Sequence, residues 1–297
     1  MKRPIRNCVG LVIFLVAIAA AFYTQRVRIG DLVGEASAPA LPPAVAYKDT
    51  VDATPATVLT TVAVDESKTP APVVSPPASG TNVPENPVST PAPEPVPASP
   101  TPPEATIAAS FNLAVPFTSQ APFANWDEMH EETCEEAAIY MVASFFNGVT
   151  GKIDPTVAEA ELQRLVAIEN DTFGYYKDTT ADETMILASK AYPSLHVQTM
   201  YDLTAENIKA EIASGHPVVV PTAGRMLHNP NFTGDGPPYH MIVIRGYTET
   251  QFITNDPGTR RGESYVYDVD TIMAAMHDWN GGDVEGGKKV VIVLYPN

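Results

Sequence analysis

The chain has 297 residues and carries 18 lysines and arginines against 35 aspartates and glutamates, a formal charge of −17. Residues 108–297 alone hold 26 acids and 11 bases, a charge of −15, which argues against nucleic acid and anionic membrane surfaces as partners. Of the two cysteines, Cys8 and Cys134, only the second lies in this C-terminal part, so no intrachain disulfide can staple it.

The first segment reads as an export signal. Met1-Lys2-Arg3-Pro4-Ile5-Arg6 is basic, and an apolar run follows from Cys8 to Tyr23. Sixteen apolar residues are short for a span, which wants about 20. Ala19-Ala20-Ala21 offers a cleavage site, so a cleaved signal stays open. The basic residues before the run favour a cytoplasmic N-terminus. A long tether after a cleavage site would have nothing to tether, which favours an uncleaved anchor. Residues 1–28 are therefore expected to be a membrane anchor or signal segment. Either way the rest of the chain is expected outside the cytoplasm, in the cell membrane fraction or secreted. A free exported thiol then calls for a reason, and reactivity is the obvious one.

Residues 29–107 are expected to be a disordered Pro/Ala-rich linker. From Glu35 to Glu104 the chain holds 17 of its 29 prolines, and Tyr47 is the segment's only aromatic residue. Such a composition buries too little apolar surface to offset chain entropy.

From Ser110 onward about 190 residues suffice for one hydrophobic core. Leu113 to Phe117 reads as a short strand. Cys134 to Asn147 reads as a helix with Ala138, Met141, Val142 and Phe145 on one face and Gly148 after it. Asp154-Pro155 caps a helix running to about Ile168. Thr180-Ala181-Asp182-Glu183 is a capping box for a helix to about Ala191. Thr204 opens another, stopped by Gly215. Strand patterns then take over at Val218 to Pro221, His240 to Tyr247, Phe252 to Asn255, Tyr265 to Tyr267 and Val290 to Tyr295. A short helix fits Asp270 to Trp279. Helices first and strands later predict an α+β fold with helices on a mainly antiparallel sheet.

Cys134 sits where its helix begins, His240 opens a strand, and Asp256 lies in the turn-like Asn255-Asp256-Pro257-Gly258. A single cysteine with a distant histidine and acid is a sequence hint of a nucleophilic cysteine. A helix N-terminus and a nearby imidazolium both lower a thiol pKa, so a reactive Cys134 is expected. Glu131, Glu132, Glu135 and Glu136 act the other way. Successive helical residues are rotated by about 100°, so Glu135 and Glu136 are expected to point to solvent while Cys134 faces a cleft. His130 is the one rival base, four residues before Cys134. Trp126 and Trp279 are candidates for cleft walls or core packing. No metal-ligand spacing, phosphate loop or calcium loop appears, so no cofactor is expected.

These strings together resemble the C39-like peptidases of the papain-type clan. The resemblance rests on Val115-Pro116-Phe117-Thr118-Ser119-Gln120, on Cys134 with Ala137-Ala138, and on Gly215-His216-Pro217-Val218-Val219-Val220. It continues through Tyr239-His240-Met241-Ile242-Val243-Ile244-Arg245-Gly246-Tyr247 and Asn255-Asp256-Pro257. It implies a papain-like fold over residues 108–297, with Cys134 attacking, His240 as base, Asp256 orienting the ring and Gln120 giving an oxyanion donor. Two departures stand out. Glu135 occupies a place where the family usually has glycine, and Gln120 lies 14 residues before Cys134, a longer gap than usual. The expectation is an extracytoplasmic cysteine peptidase acting on a peptide or protein substrate. A peptidoglycan-directed amidase or transamidase with the same triad, acting on cell-wall peptides, and a catalytically silent binding domain are the alternatives.

Overall fold

The computed structural model describes residues 40–52 and 107–297. The apolar run from Cys8 to Tyr23, and the linker expectation for 53–106, lie outside the described residues. In chain order the elements are α1 (Tyr47–Asp52), β1 (Phe111–Asn112), α2 (Cys134–Phe146), α3 (Pro155–Phe173), α4 (Ala181–Ala191), β2 (Leu195–Tyr201), α5 (Ala205–Ala213) and β3 (Val218–Ala223). They continue with β4 (Tyr239–Tyr247), β5 (Gln251–Asn255), β6 (Tyr265–Asp268), α6 (Val269–Ala275) and β7 (Val290–Pro296). The strands form one antiparallel sheet in the order β2-β7-β3-β4-β5-β6, with β1 also paired to β4.

Sequence and structure agree closely on the helix starts, because the caps are local chemistry. Asp154 accepts from the amides of Thr156 and Val157, with Pro155 at the first helical position. Thr180 and Glu183 close a capping box at α4, and Thr204 and Asn207 do the same at α5. Helix ends are less local. α3 runs to Phe173, five residues past the expected end, and stops where Gly174 turns left-handed at φ 84°.

The core lies between α2 and the centre of the sheet. β3 and β4 are buried along their whole length, so they read as continuous apolar runs. Ala138, Ile139, Met141, Val142 and Phe145 of α2 are buried in the same cluster as Val218, Val220, Ile242 and Ile244. This packing fixes the first residue of α2, Cys134, beside the start of β4, where His240 stands.

Arg245 ties the N-terminal segment to this centre. It is 6% exposed and sits at the register shift between β4 and β5. Its Nε donates to the Leu113 carbonyl at 2.7 Å and to Asn112 Oδ1 at 3.2 Å. Burial pushes its pKa down to about 10, against the pull of Glu263. Asn255 donates from Nδ2 to the carbonyls of Val115 and Pro116. The expected strand at 113–117 is therefore an extended segment held by these side chains and by isolated bridges of Leu113 to Val45 and Phe117 to Lys152, with a strand only at Phe111–Asn112.

Two elements were not visible in the sequence. β2 pairs with β7 along seven residues, yet as an edge strand it is only partly buried. The other is the stretch 40–52, which composition places inside the linker. It is folded against the domain. The Val45 amide donates to the Asn112 carbonyl, and the Ala114 amide donates to the Val45 carbonyl. Asn112 Nδ2 donates to the Pro42 carbonyl. The Tyr47 ring then stands edge-on to Phe145 and Phe146, at centroid distances of 5.7 and 5.1 Å.

This strap contributes an aromatic contact to the end of α2. Replacing Tyr47 by alanine is expected to lower stability by about 1–3 kcal/mol. Urea unfolding of the full chain measures it, and an unchanged midpoint would mean that the strap adds nothing to the core.

Candidate active site

His240 is the second residue of the fully buried β4, and its backbone carbonyl accepts from Thr222 Oγ1 on β3. The ring is nearly enclosed. His240 Nε2 lies 2.8 Å from Asp256 Oδ1. With Nε2–H donating to the carboxylate, Nδ1 is the basic nitrogen of the ring. Phe232 stands edge-on to the imidazole at 5.4 Å. Gly258 lies against its other edge, where an added Cβ would fall 2.8 Å from His240 Cε1. Only glycine fits there without moving the ring.

Asp256 is completely buried. Its Oδ1 also accepts from the Gly258 amide at 3.0 Å. Its Oδ2 accepts from the Tyr267 hydroxyl at 2.6 Å and from Asn229 Nδ2 at 3.0 Å. Asn229 in turn donates to the Tyr267 hydroxyl at 2.8 Å. The Asp256 backbone is pinned by Gly262, whose carbonyl accepts its amide and where a Cβ would come within 1.7 Å of the Asp256 oxygen. Burial by itself would raise the carboxyl pKa. The charge and hydrogen bond of His240, with the donors from Tyr267 and Gly258, outweigh it and hold the pKa below the usual value.

Cys134 is 5% exposed and lines the same cleft as His240, a concavity of about 810 Å³. That volume is in the range of ligand sites. Trp126, 42% exposed, stands at its rim, with Phe232 and Tyr239 further in. Trp279 packs against Tyr239 instead, at 5.5 Å between centroids.

The thiol's surroundings differ from the sequence expectation. Glu135 and Glu136 do not point to solvent; they are 1% and 0% exposed. Cys134 Sγ donates to Glu135 Oε2 at 2.9 Å. Burial, then the charge and the hydrogen bond of Glu135, push the thiol pKa well above its ordinary value, and a backbone contact from Met241 opposes this only partly. Both glutamates turn inward because α2 packs them toward α3, where Glu169 is also fully buried. Two neighbouring side chains can both be inside when a second helix covers that face.

Gln120 lines the cleft beside Cys134, despite its long separation in sequence. Its Nε2 donates to the carbonyls of His130 and Glu131, and its Oε1 is buried without a partner. Its own amide donates to the Pro257 carbonyl, which links it to the Asp256 turn. For Gln120 to donate to an oxyanion, the amide must release one of those two carbonyls. His130 is held from both sides, with Nδ1 2.7 Å from Asp127 and Nε2 2.8 Å from Glu159. Both ring nitrogens are thus engaged away from the thiol.

Residues 112–281 match the Peptidase_C39 like family. The chain belongs to that family. Among solved structures it is similar to a putative C39-like peptidase from Bacillus anthracis, at 18% identity, covering 63% of this chain and 98% of that one, with a TM-score of 0.43. It is similar also to a double glycine motif protease from an AMS/PCAT transporter, solved with the leader peptide, at 12% identity, 58% and 89% coverage and a TM-score of 0.34. A third is the peptidase domain of Streptococcus ComA, a bi-functional ABC transporter, at 16% identity, 56% and 93% coverage and a TM-score of 0.31. No curated protein matches the chain.

Asn229 and Tyr267 had no sequence signal, because their role depends on converging from a loop and from β6. Removing the Tyr267 hydroxyl by Tyr267→Phe is expected to cost about 1–3 kcal/mol at neutral pH, as for a hydrogen bond to a charge. A depressed carboxyl pKa gives stability above the unfolded value of about 3.9, lost as pH falls through the lower folded value. The variant raises the folded value, so its acid unfolding limb should move to higher pH. Acid titration followed by circular dichroism checks this, and superimposable curves would remove Tyr267 from the carboxylate's support.

Proposed function

We propose that this C39-like domain is an extracytoplasmic cysteine peptidase that cleaves peptide bonds through Cys134, His240 and Asp256. The observation that carries this reading is the buried His240–Asp256 pair opening into the same cleft as the sole thiol of the domain. Cys134 Sγ would attack the scissile carbonyl while its proton passes to His240 Nδ1. Asp256 would hold the ring and favour its charged form. His240 would then protonate the leaving amine, which departs and leaves a thioester on Cys134. Water, deprotonated by His240, would release the acid product.

The oxyanion would meet the first-turn amides of α2, which a helix leaves unpaired. The Gln120 amide would join them after releasing a carbonyl of the loop at 130–131. The cleft's aromatic and open character suits an extended peptide, and Trp126 and Phe232 offer apolar walls to its side chains. The N-terminal apolar run would anchor the chain, with the catalytic domain outside the membrane.

An acyl-enzyme-trapping peptide library, read by mass spectrometry, tests the reading. Wild type is expected to carry an adduct on Cys134. Cys134→Ala should carry none, and His240→Ala close to none. Asp256→Asn keeps one oxygen where Asp256 has two accepting oxygens, so turnover should fall by up to about ten-thousandfold yet stay measurable, and Asp256→Ala should lose more. An adduct in Cys134→Ala would end the proposal.

A further inference from the structure

Beneath the cleft lies a group of buried acids that the triad chemistry does not use. Glu135, Glu136 and Glu169 are 1%, 0% and 0% exposed. All four carboxyl oxygens of Glu136 and Glu169 are buried without a donor. A carboxylate cannot donate, so two facing carboxyls satisfy each other only when they share a proton. Glu135 differs from the other two. Its carboxyl is in direct contact with the nucleophile, accepting the Cys134 thiol at 2.9 Å.

We propose that Glu135 is a positioning residue that gates the nucleophile, so that Cys134 becomes a thiolate only when Glu135 takes up a proton. This deepens the peptidase reading and rests on Cys134 being its nucleophile. In the closed state the thiol keeps its proton, His240 is neutral, and the Glu135 carboxylate accepts the S–H. In the open state the S–H bond has broken and that proton sits on His240 Nδ1. A proton from water has bonded to a Glu135 oxygen, and the resulting O–H donates to the thiolate sulfur. The open state therefore holds one proton more than the closed state, and no other reactant is consumed.

The groups around Glu135 favour the uptake. From α2 it faces Cys134 and Glu136; from α3, Glu169; from the loop before α4, Asp178; and from β4, Tyr239, with His240 beyond the thiol. Burial comes first, and the charges of Glu169 and Asp178 add to it, so the Glu135 carboxyl titrates at about 8 against the thiol's opposing hydrogen bond. Because the open state needs the proton, the thiolate should be lost as pH rises through about 8. An ordinary cysteine does the reverse. A residue without a carboxyl at this position would leave the thiol to His240 alone, so the Glu135 carboxyl in contact with Sγ is what creates the gate.

The test needs no substrate, so its failure is distinct from failure of the peptidase reading. Thiolate absorbance of the full chain is recorded against pH, as the difference from Cys134→Ala. Wild type is expected to lose thiolate between about pH 7 and pH 9, around the Glu135 titration. Glu135→Gln keeps a hydrogen-bonding side chain and removes the ionisation. It should show no such fall, and above pH 8 it should alkylate about tenfold faster than wild type or more. Thiolate rising steadily with pH in the wild type would overturn the gate. So would a Glu135→Gln profile of unchanged shape, whatever its height, because a merely structural glutamate changes amplitude and not shape. Should Glu135→Gln fail to fold, the wild-type absorbance curve alone decides.

Discussion

A fully buried carboxylate dominates the architecture around the cleft. Removing an ion from water costs several kcal/mol unless partners replace the lost hydration. Asp256 therefore has to collect its donors from several elements at once: His240 from β4, Tyr267 from β6, Asn229 from the loop after β3, and the Gly258 amide from its own turn. Each of those elements is consequently held at a fixed distance from β5. The glycines at 258 and 262 follow from the same constraint, since side chains there would collide with the His240 ring and the Asp256 carbonyl. The turn string Asn255-Asp256-Pro257-Gly258 is thus more than a chain reversal. Asn255 anchors the segment at 115–116, and Pro257 offers its carbonyl to the Gln120 amide and to Ser119 Oγ.

The opposite solution operates one layer below. Glu135, Glu136 and Glu169 are buried with almost no donors, so neutralisation takes the place of pairing. Burial first, with the charges of neighbouring acids, raises all three, Glu135 to about 8 and Glu169 to about 7. One region of the interior thus holds a carboxylate kept charged, and the next holds carboxyls driven toward neutrality. A difference in environment of this kind separates acids of identical chemistry into different roles.

Local chemistry was legible in the sequence, and long-range burial was not. The N-caps at Asp154, Thr180 and Thr204, the apolar runs of β3, β4 and β7, and the antiparallel α+β class all follow from spacing within a few residues. His240 and Asp256 could be named from their order, and the structure places them in contact. The position of Glu135 and Glu136 could not be read, since it depends on α3 covering a face of α2. Asn229 and Tyr267 were equally hidden, being ordinary loop and strand residues until the fold brings them together. β2 was missed as an edge strand, although Leu195 to Tyr201 follows the Pro193-Ser194 break. The strap at 40–52 was missed for a different reason. A bulk composition dominated by proline and alanine masks a short sticker, and Tyr47 was its one clue.

That strap changes what the chain between the apolar run and the domain can do. Residues 40–52 and 107 onward both belong to the folded body, so the chain on either side of the 54-residue segment 53–106 is fixed on the same domain. Only residues 24–39 remain as a leash, and 16 residues reach at most about 55 Å fully extended. A cut between residues 53 and 106 would leave the two pieces held by non-covalent contacts of the strap, among them the Val45 ladder, the Asn112–Pro42 hydrogen bond and the Tyr47 ring.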